Sequence, residues 1–252
     1  MILVLGGTTE GKQVSSVLAG AGYPFWYSTK TEIAVDLPPN ARYRHGALTP
    51  EALTGFCRQE GIRLIINAAH PFAQLLHQTI DRAALLTGIP VLRPEREYPA
   101  RILHPLVLYM ADYAAVLRGL EEGRYAPVLA LTGVQTITRL QPYWQRNKML
   151  FRILPRENSI AIARDAGFPE ENLLLSFPAA SVEDELALIR QTGARIVLTK
   201  ESGEPGGLSI KIAAAIAAAV PIFIISRPVL PAGFIPVDGP AVLLREIKNR
   251  LS

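Results

Sequence analysis

Cysteine is nearly absent, since the 252 residues hold one, Cys57. A single thiol closes no internal disulfide, so the fold has to be held by its core. The four histidines, His45, His70, His77 and His104, stand at no spacing that completes a metal set, and a protein-bound metal is not expected. Cys57 shares a helical face with Leu53 and Phe56, which makes it a packed thiol rather than a nucleophile. Long hydrophobic runs are lacking too. No stretch approaches the roughly 18 residues that read as a membrane span, and the best candidate, residues 210–220, is mostly alanine and is interrupted by Lys211. Charge of one sign is in short supply: 26 basic against 22 acidic residues leave +4, scattered along the chain, which argues against nucleic acid as a partner. The Gly-x-Ser-x-Gly elbow of serine hydrolases does not occur, nor do short-period repeats or low-complexity segments. The chain opens on a core strand with no basic leader, so a cytoplasmic location is expected.

What is present is an alternation of short apolar runs with amphipathic stretches. With 49% hydrophobic residues the chain can bury a full core. The opening stretch sets the pattern. Ile2-Leu3-Val4-Leu5 holds no polar residue and reads as a strand buried on both faces of a parallel sheet. Gly6 and Gly7 turn the backbone, and the helix over residues 9–21 then aims its free N–H groups at the space beyond, where an anion fits. Against the dinucleotide fingerprint Gly-x-Gly-x-x-Gly the match is partial: Gly6 and Gly11 hold the outer positions, and Thr8 replaces the middle glycine. The acid expected about 20 residues on, which holds a ribose hydroxyl, is missing; Ser28-Thr29-Lys30 stands there and suits a 2′-phosphate better.

Further strands are expected at residues 23–28, 31–35, 62–66, 90–92, 128–131, 149–154, 173–175, 196–198 and 221–225. Helices are expected from Thr49-Pro50 to Gly61, from Pro71 to about Thr87, and over 111–122, 159–166, 182–192, the stretch carrying Lys211, and Asp238 onward. This is an α/β chain with mostly parallel sheets. Arg93-Pro94-Glu95-Arg96-Glu97-Tyr98-Pro99 reads as a crossover, which divides the chain into domains at 1–98 and 99–252. Pro71 forces His70 out of helical geometry, placing it at a strand's carboxyl end, where open α/β sheets bind ligands. His70 there either bonds to its own loop or transfers protons. His77 is expected to be exposed or half-buried. Thr199-Lys200-Glu201-Ser202-Gly203-Glu204-Pro205-Gly206-Gly207 is a second glycine-rich turn, which Lys200 and Lys211 bracket in a manner suited to carboxylates or phosphates. Arg93 and Arg96 are most simply interdomain salt-bridge or solvent residues, with anion binding as the second choice.

Taken together, the block from Leu5 to Lys12, Asn67-Ala68-Ala69-His70-Pro71-Phe72-Ala73, Arg93-Pro94, the Lys200-Glu201-Ser202-Gly203 turn with Gly206-Gly207 and Lys211, and Arg227-Pro228 resemble the precorrin-6A reductase and cobalt-precorrin-6A reductase family of cobalamin biosynthesis. The resemblance runs over nearly the whole chain. Three positions depart from the family pattern: Asn67 and Ala69 stand where Asp and Thr are usual, Lys12 where Arg is frequent, and Thr29-Lys30-Thr31-Glu32 where a basic segment follows the second strand. The resemblance implies two Rossmann-like domains facing a cleft, the first for the dinucleotide and the second for the substrate. It also implies NADPH or NADH as donor and reduction of the C18–C19 double bond of precorrin-6A, metal-free or cobalt-bound.

On that basis the candidate cofactor-binding residues are Gly6, Gly7, Thr8, Thr9, Glu10, Ser28, Thr29, Lys30, Ala69, His70, Pro71 and Phe72. Candidate substrate-binding residues are Lys12, Arg93, Thr132, Gly133, Lys200, Glu201, Ser202, Gly206, Gly207 and Lys211, because a precorrin carries carboxylates around a flat apolar ring. Lys200 is the first candidate for the acid that protonates C18, then Lys12 and His70. Two other classes fit the same pattern: a cofactor-free two-domain tetrapyrrole synthase, and a nucleotide-sensing Rossmann protein without catalysis.

Overall fold

The computed structural model describes the chain except Val35, Glu97 and Ser252. In chain order, β1 (Ile2–Leu5), α1 (Thr9–Gly20), β2 (Phe25–Thr29), β3 (Ala41–His45), α2 (Pro50–Gln59), β4 (Leu64–Asn67), α3 (Gln74–Thr87) and β5 (Val91–Pro94) come first. The middle of the chain forms β6 (Val107–Met110), α4 (Tyr113–Gly123), β7 (Val128–Ala130), α5 (Gln141–Trp144), β8 (Met149–Ile153), α6 (Glu157–Asp165), β9 (Leu173–Leu175), α7 (Val182–Thr192), β10 (Ile196–Lys200), α8 (Leu208–Ala217) and β11 (Ile222–Ile225). β12 (Phe234–Val237) and α9 (Gly239–Leu251) close it.

These elements form two compact units, Met1–Arg96 with Pro228–Ser252, and Glu97–Arg227. The first sheet has the order β12-β5-β4-β1-β2-β3 and the second β6-β11-β10-β7-β8-β9, with every pairing parallel. The chain leaves the first unit after Arg96 and re-enters it at Pro228. β12 pairs with β5, Phe234 opposite Val91, so the chain returns to its first sheet.

In the first unit, alternate residues of β1 point to opposite faces. Ile2 and Val4 pack with Val14 and Leu18 of α1 and with Leu243 and Ile247 of α9. Leu3 and Leu5 pack with Leu53 and Cys57 of α2 and with Ile80 and Ala83 of α3. Helices cover both faces, which is why the strand carries no polar residue. Cys57 is buried, and burial pushes its thiol up to about 11, so it packs and does not react. In the second unit Leu129, Val197 and Ile224 face Ile189 of α7 and Ile212 and Ala215 of α8.

Caps fix the starts of the helices. Thr8, Thr49, Asp112 and Ser181 each accept a backbone N–H of the turn they precede. α3 differs from expectation. It begins at Gln74 rather than Pro71, because residues 71–73 form a turn closed by the Ala73 N–H on the His70 carbonyl. The strand expected at 31–35 is not formed by Thr31–Ala34, and Val35 lies outside the described residues. The third strand is Ala41–His45, and β6 and β12 are further strands that the sequence pattern does not show. No helix among the described residues is long and apolar enough to cross a membrane.

Candidate active site

Both sheets reverse direction of growth at one place, β1 to β4 in the first and β7 to β10 in the second. In doubly wound sheets ligands bind at the carboxyl ends of the strands flanking that switch point.

At the first switch point Leu5 stands opposite Ser28 on one side and Asn67 on the other. Gly6 donates its N–H to the Ser28 carbonyl at 2.9 Å. A Cβ on Gly6 would lie 2.4 Å from the Tyr27 ring, so this glycine is required by the packing of Tyr27. Gly11 answers to the same ring, since a Cβ there would lie 2.7 Å from the Tyr27 hydroxyl, and its absence lets helix and strand come close together. Gly7 has another reason. Its φ is +90°, and only Thr29 Cγ2 at 3.7 Å approaches a Cβ placed there, so the conformation requires glycine and the space beyond is open. Its own N–H donates to the Tyr27 hydroxyl at 3.0 Å.

Thr8 ties the loop to its neighbour. Its Oγ1 accepts the Gly11 N–H at 3.2 Å and donates to the Ala68 carbonyl at 2.6 Å. The N–H groups of Thr9 and Glu10 have no acceptor among the described residues and stand at the positive end of a 12-residue helix. The Glu10 carboxylate would oppose an anion there. Arg96 Nη2 holds it at 2.9 Å, which neutralises it with an ion pair inside the first unit.

The loop after β4 is built on a buried polar network. Asn67 is fully buried; its Nδ2 donates to His77 Nδ1 at 3.0 Å and its Oδ1 accepts the Ala69 N–H at 3.3 Å. With Nδ1 accepting, the His77 proton lies on Nε2 and is donated to the Pro71 carbonyl at 3.2 Å. His77 is therefore a buried residue, contrary to expectation. Burial, and then the nearby Arg93 cation, push its pKa down to about 4. Arg93 is no crossover residue either: it lies in β5, 3% exposed, and Nη1 donates to the carbonyls of Asn67 at 2.9 Å and Ala69 at 2.7 Å. It braces the loop from beneath. His70 is half-buried, and its Nδ1 accepts the Phe72 N–H at 3.1 Å, a bond within its own loop.

At the end of β2, Ser28 and Thr29 are buried and Lys30 is exposed. Thr29 Oγ1 is held by the Thr31 carbonyl and the Tyr43 hydroxyl, both at 2.8 Å. Ser28 Oγ accepts from Arg44 Nη1 at 2.6 Å. Arg44 is a residue that sequence reasoning missed, because β3 carries no apolar run. Lys12 is exposed on the first turn of α1 and meets no carboxylate among the described residues.

The second switch point is made differently. Thr132 is buried, with its hydroxyl 2.6 Å from that of Thr136, and Thr136 donates to the Gly133 carbonyl at 2.8 Å. Lys200 ends β10 half-buried. Glu201 accepts Arg101 Nε and Nη2, both at 2.9 Å, and the Arg227 N–H at 3.0 Å. Burial raises the Glu201 pKa, but these donors outweigh it and hold the carboxyl below its ordinary value. Ser202 is buried beneath Gly206, where a Cβ would meet its Oγ at 2.1 Å. Gly207, at φ +65°, leads into α8. Lys211 is 6% exposed and donates to the Gly206 carbonyl at 2.5 Å. Burial above all, and then the Arg152 and Lys200 cations against Glu185, bring its pKa down to about 8. Arg152 and Glu185 form a buried pair at 2.8 Å. Among the described residues no group of His, Cys, Asp and Glu is arranged to hold a metal ion.

The family model described as precorrin-6x reductase CbiJ/CobK matches residues 1–247. A cobalt-precorrin-6A reductase of Priestia megaterium is 28% identical over 244 residues, 92% of this chain and 92% of its own. A precorrin-6A reductase of Mycobacterium tuberculosis is 29% identical over 249 residues, 94% of this chain and 93% of its own. The solved structure of CobK precorrin-6A reductase matches with a TM-score of 0.79 at 23% identity, over 99% of this chain and 96% of that one, and so has the same fold.

Proposed function

The chain belongs to the precorrin-6x reductase family, and from that premise we propose that it reduces the C18–C19 double bond of precorrin-6A, metal-free or cobalt-bound, with NADPH or NADH. The observation that carries the cofactor is the first switch point, where an open glycine turn precedes two helix N–H groups with no protein acceptor among the described residues. The residues present fit a dinucleotide pyrophosphate. When bound, the dinucleotide supplies the hydride.

Gly6, Gly7 and Thr8 would give backbone approach, and the Thr9 and Glu10 amides would hold phosphate oxygens. Ser28, Thr29 and Lys30 would border the ribose, with Ala69, His70, Pro71 and Phe72 on the β4 side. The second unit takes the substrate's carboxylate rim. Lys200 is assigned the direct contact there, with Thr132, Gly133, Ser202, Gly206 and Gly207 shaping the turns around it. Arg93, Glu201 and Lys211 are positioning residues in this reading, since each is buried and bonded to its own loop or a neighbouring one. Hydride reaches C19 and a proton reaches C18. Lys200 is the first candidate donor, with Lys12 and His70 behind it. Orienting the two reactants would supply much of the rate. The reaction is assigned to the cytoplasm.

One anaerobic assay tests the proposal: dinucleotide oxidation with metal-free and with cobalt-bound precorrin-6A, using NADPH and NADH in turn. Substrate-dependent oxidation supports it. Turnover without dinucleotide would indicate a synthase, and dinucleotide binding without turnover a sensor.

A further inference from the structure

The edge of the first sheet carries a cation whose placement the dinucleotide reading does not by itself explain. Arg44 lies on β3 opposite Ser28 of β2. Its Nη1 donates to Ser28 Oγ at 2.6 Å, and its Nη2 donates to the carbonyls of His45 at 2.9 Å and Gly46 at 3.2 Å. The guanidinium carbon lies 5.6 Å from the centre of the Phe56 ring. These contacts fix the plane of the group, so little freedom remains to be lost on binding. They engage three of its five N–H groups, leaving Nε and one Nη1 hydrogen without an acceptor among the described residues.

No carboxylate among the described residues pairs with Arg44, whereas Arg42 on the same strand reaches Glu60 at 3.6 Å. Burial lowers the pKa of Arg44, so the guanidinium is partly stripped of water without gaining an acid in exchange. An anion placed against it recovers that loss.

The position says which anion. The Gly46 N–H donates to the carbonyls of Thr29 at 3.0 Å and Lys30 at 3.2 Å, so the turn carrying Arg44 is stitched to the end of β2. Thr29 Cγ2 in turn lies 3.7 Å from the site of a Cβ on Gly7, at the phosphate-binding turn. In dinucleotide-binding sheets the end of the second strand reads the ribose. An acid there accepts the free 2′-hydroxyl, and an arginine accommodates a 2′-phosphate. Here that strand ends Ser28-Thr29-Lys30, with no acid.

We infer that this chain selects the dinucleotide bearing a 2′-phosphate, and that Arg44 is the residue that reads it, with Ser28 and Lys30 beside it. The inference rests on the proposed dinucleotide-dependent reductase. Ser28 Oγ, while accepting from Arg44, keeps its own proton to donate to a phosphate oxygen.

Equilibrium titration of the wild-type protein, Arg44→Met and Arg44→Lys with NADPH and with NADH tests it. Wild type should bind NADPH at least tenfold tighter than NADH. Arg44→Met should lose most of that preference while NADH affinity stays within threefold, which also shows that the variant is folded. Arg44→Lys should fall between. Wild type should also bind adenosine 2′,5′-bisphosphate more tightly than adenosine 5′-phosphate, and this comparison decides the matter if Arg44→Met does not fold. Equal affinity of wild type for both dinucleotides, or an equal loss of both in Arg44→Met, overturns the inference and leaves the reductase reading standing. If wild type binds neither dinucleotide, the cofactor reading itself fails and the inference falls with it.

Discussion

The carboxyl ends of β1 and β7 occupy equivalent places in two sheets that share the order of five strands, β5-β4-β1-β2-β3 and β11-β10-β7-β8-β9, yet the chain leaves them differently. After β1 a glycine turn enters a 12-residue helix at once, and two amides stay open. After β7 the chain makes two short 3₁₀ turns and the single turn of α5, and the hydroxyls of Thr132 and Thr136 close on each other. The first unit therefore offers backbone, which suits a phosphate of fixed shape. The second offers side chains, and several of its charges are withdrawn into the fold: Arg152 with Glu185, Lys211 on Gly206, and Glu201 under the exposed Arg101. A shared strand order does not make a shared site. The few residues that leave the central strand decide what each sheet can hold.

The largest expected effect is at Lys200. If it donates the proton to C18, Lys200→Met should lower kcat by roughly 10²–10⁴-fold while dinucleotide affinity is kept. A loss confined to KM would instead make it a carboxylate grip, and unchanged kinetics would remove it from the site. Next comes the buried charge of the second unit. Glu185→Ala leaves Arg152 buried with Lys211 nearby, and stability should fall by about 3–5 kcal/mol in chemical denaturation; a loss under 1 kcal/mol would show that water reaches the pair.

The first unit has its own buried titratable group in His77. Its folded pKa of about 4 lies below the ordinary 6.5, so the unfolded chain takes up the proton first. Its contribution is complete above pH 6.5 and fades as pH falls toward 4, for a total of about 3 kcal/mol. Replacing His77 by Gln should flatten that part of the stability profile; an identical slope in both proteins would refute it. A smaller effect is expected at Gly7, where Gly7→Val fills the open space and forces a branched residue to positive φ. Dinucleotide affinity should weaken at least tenfold in a folded protein, a shift of about 1.4 kcal/mol. Unchanged affinity would move the dinucleotide elsewhere. The smallest is the salt effect, since Arg93 and Lys211 are buried and Lys12 is exposed. Substrate KM should rise only modestly with ionic strength, and a steep rise would mean that the buried cations open toward the substrate.

The strands legible in the sequence are mainly those whose neighbours cover them. β1 and β11 are apolar throughout, and β4 and β10 open on apolar runs of three residues, because helices pack on both faces. The three that escaped notice, β3, β6 and β12, are all sheet edges. β3 reads Ala-Arg-Tyr-Arg-His, and β12 contains Pro236, which an edge tolerates and a central strand does not. Arg44 escaped with its strand. The glycine turn was legible, but the reason for Gly6 was not, because Tyr27, 21 positions on, reaches back only through strand pairing. His77 and Arg93 were misplaced for a related reason: their partner is Asn67, a polar residue at full burial that no periodicity announces.

The return of β12 and α9 to the first sheet bears on how the molecule is made. Residues leave the ribosome in order, so the whole stretch Glu97–Arg227 is synthesised before Phe234 can pair with Val91. At roughly 5–20 residues per second that delay is on the order of ten seconds. Throughout it β5 presents a bare edge, and Ile2 and Val4 lack the cover of Leu243 and Ile247. The unit begun first is thus the last to be completed. A nascent chain in that state carries a completed second unit and an unfinished first sheet, and the stretch from Pro228 onward is the closing piece on which the older unit waits.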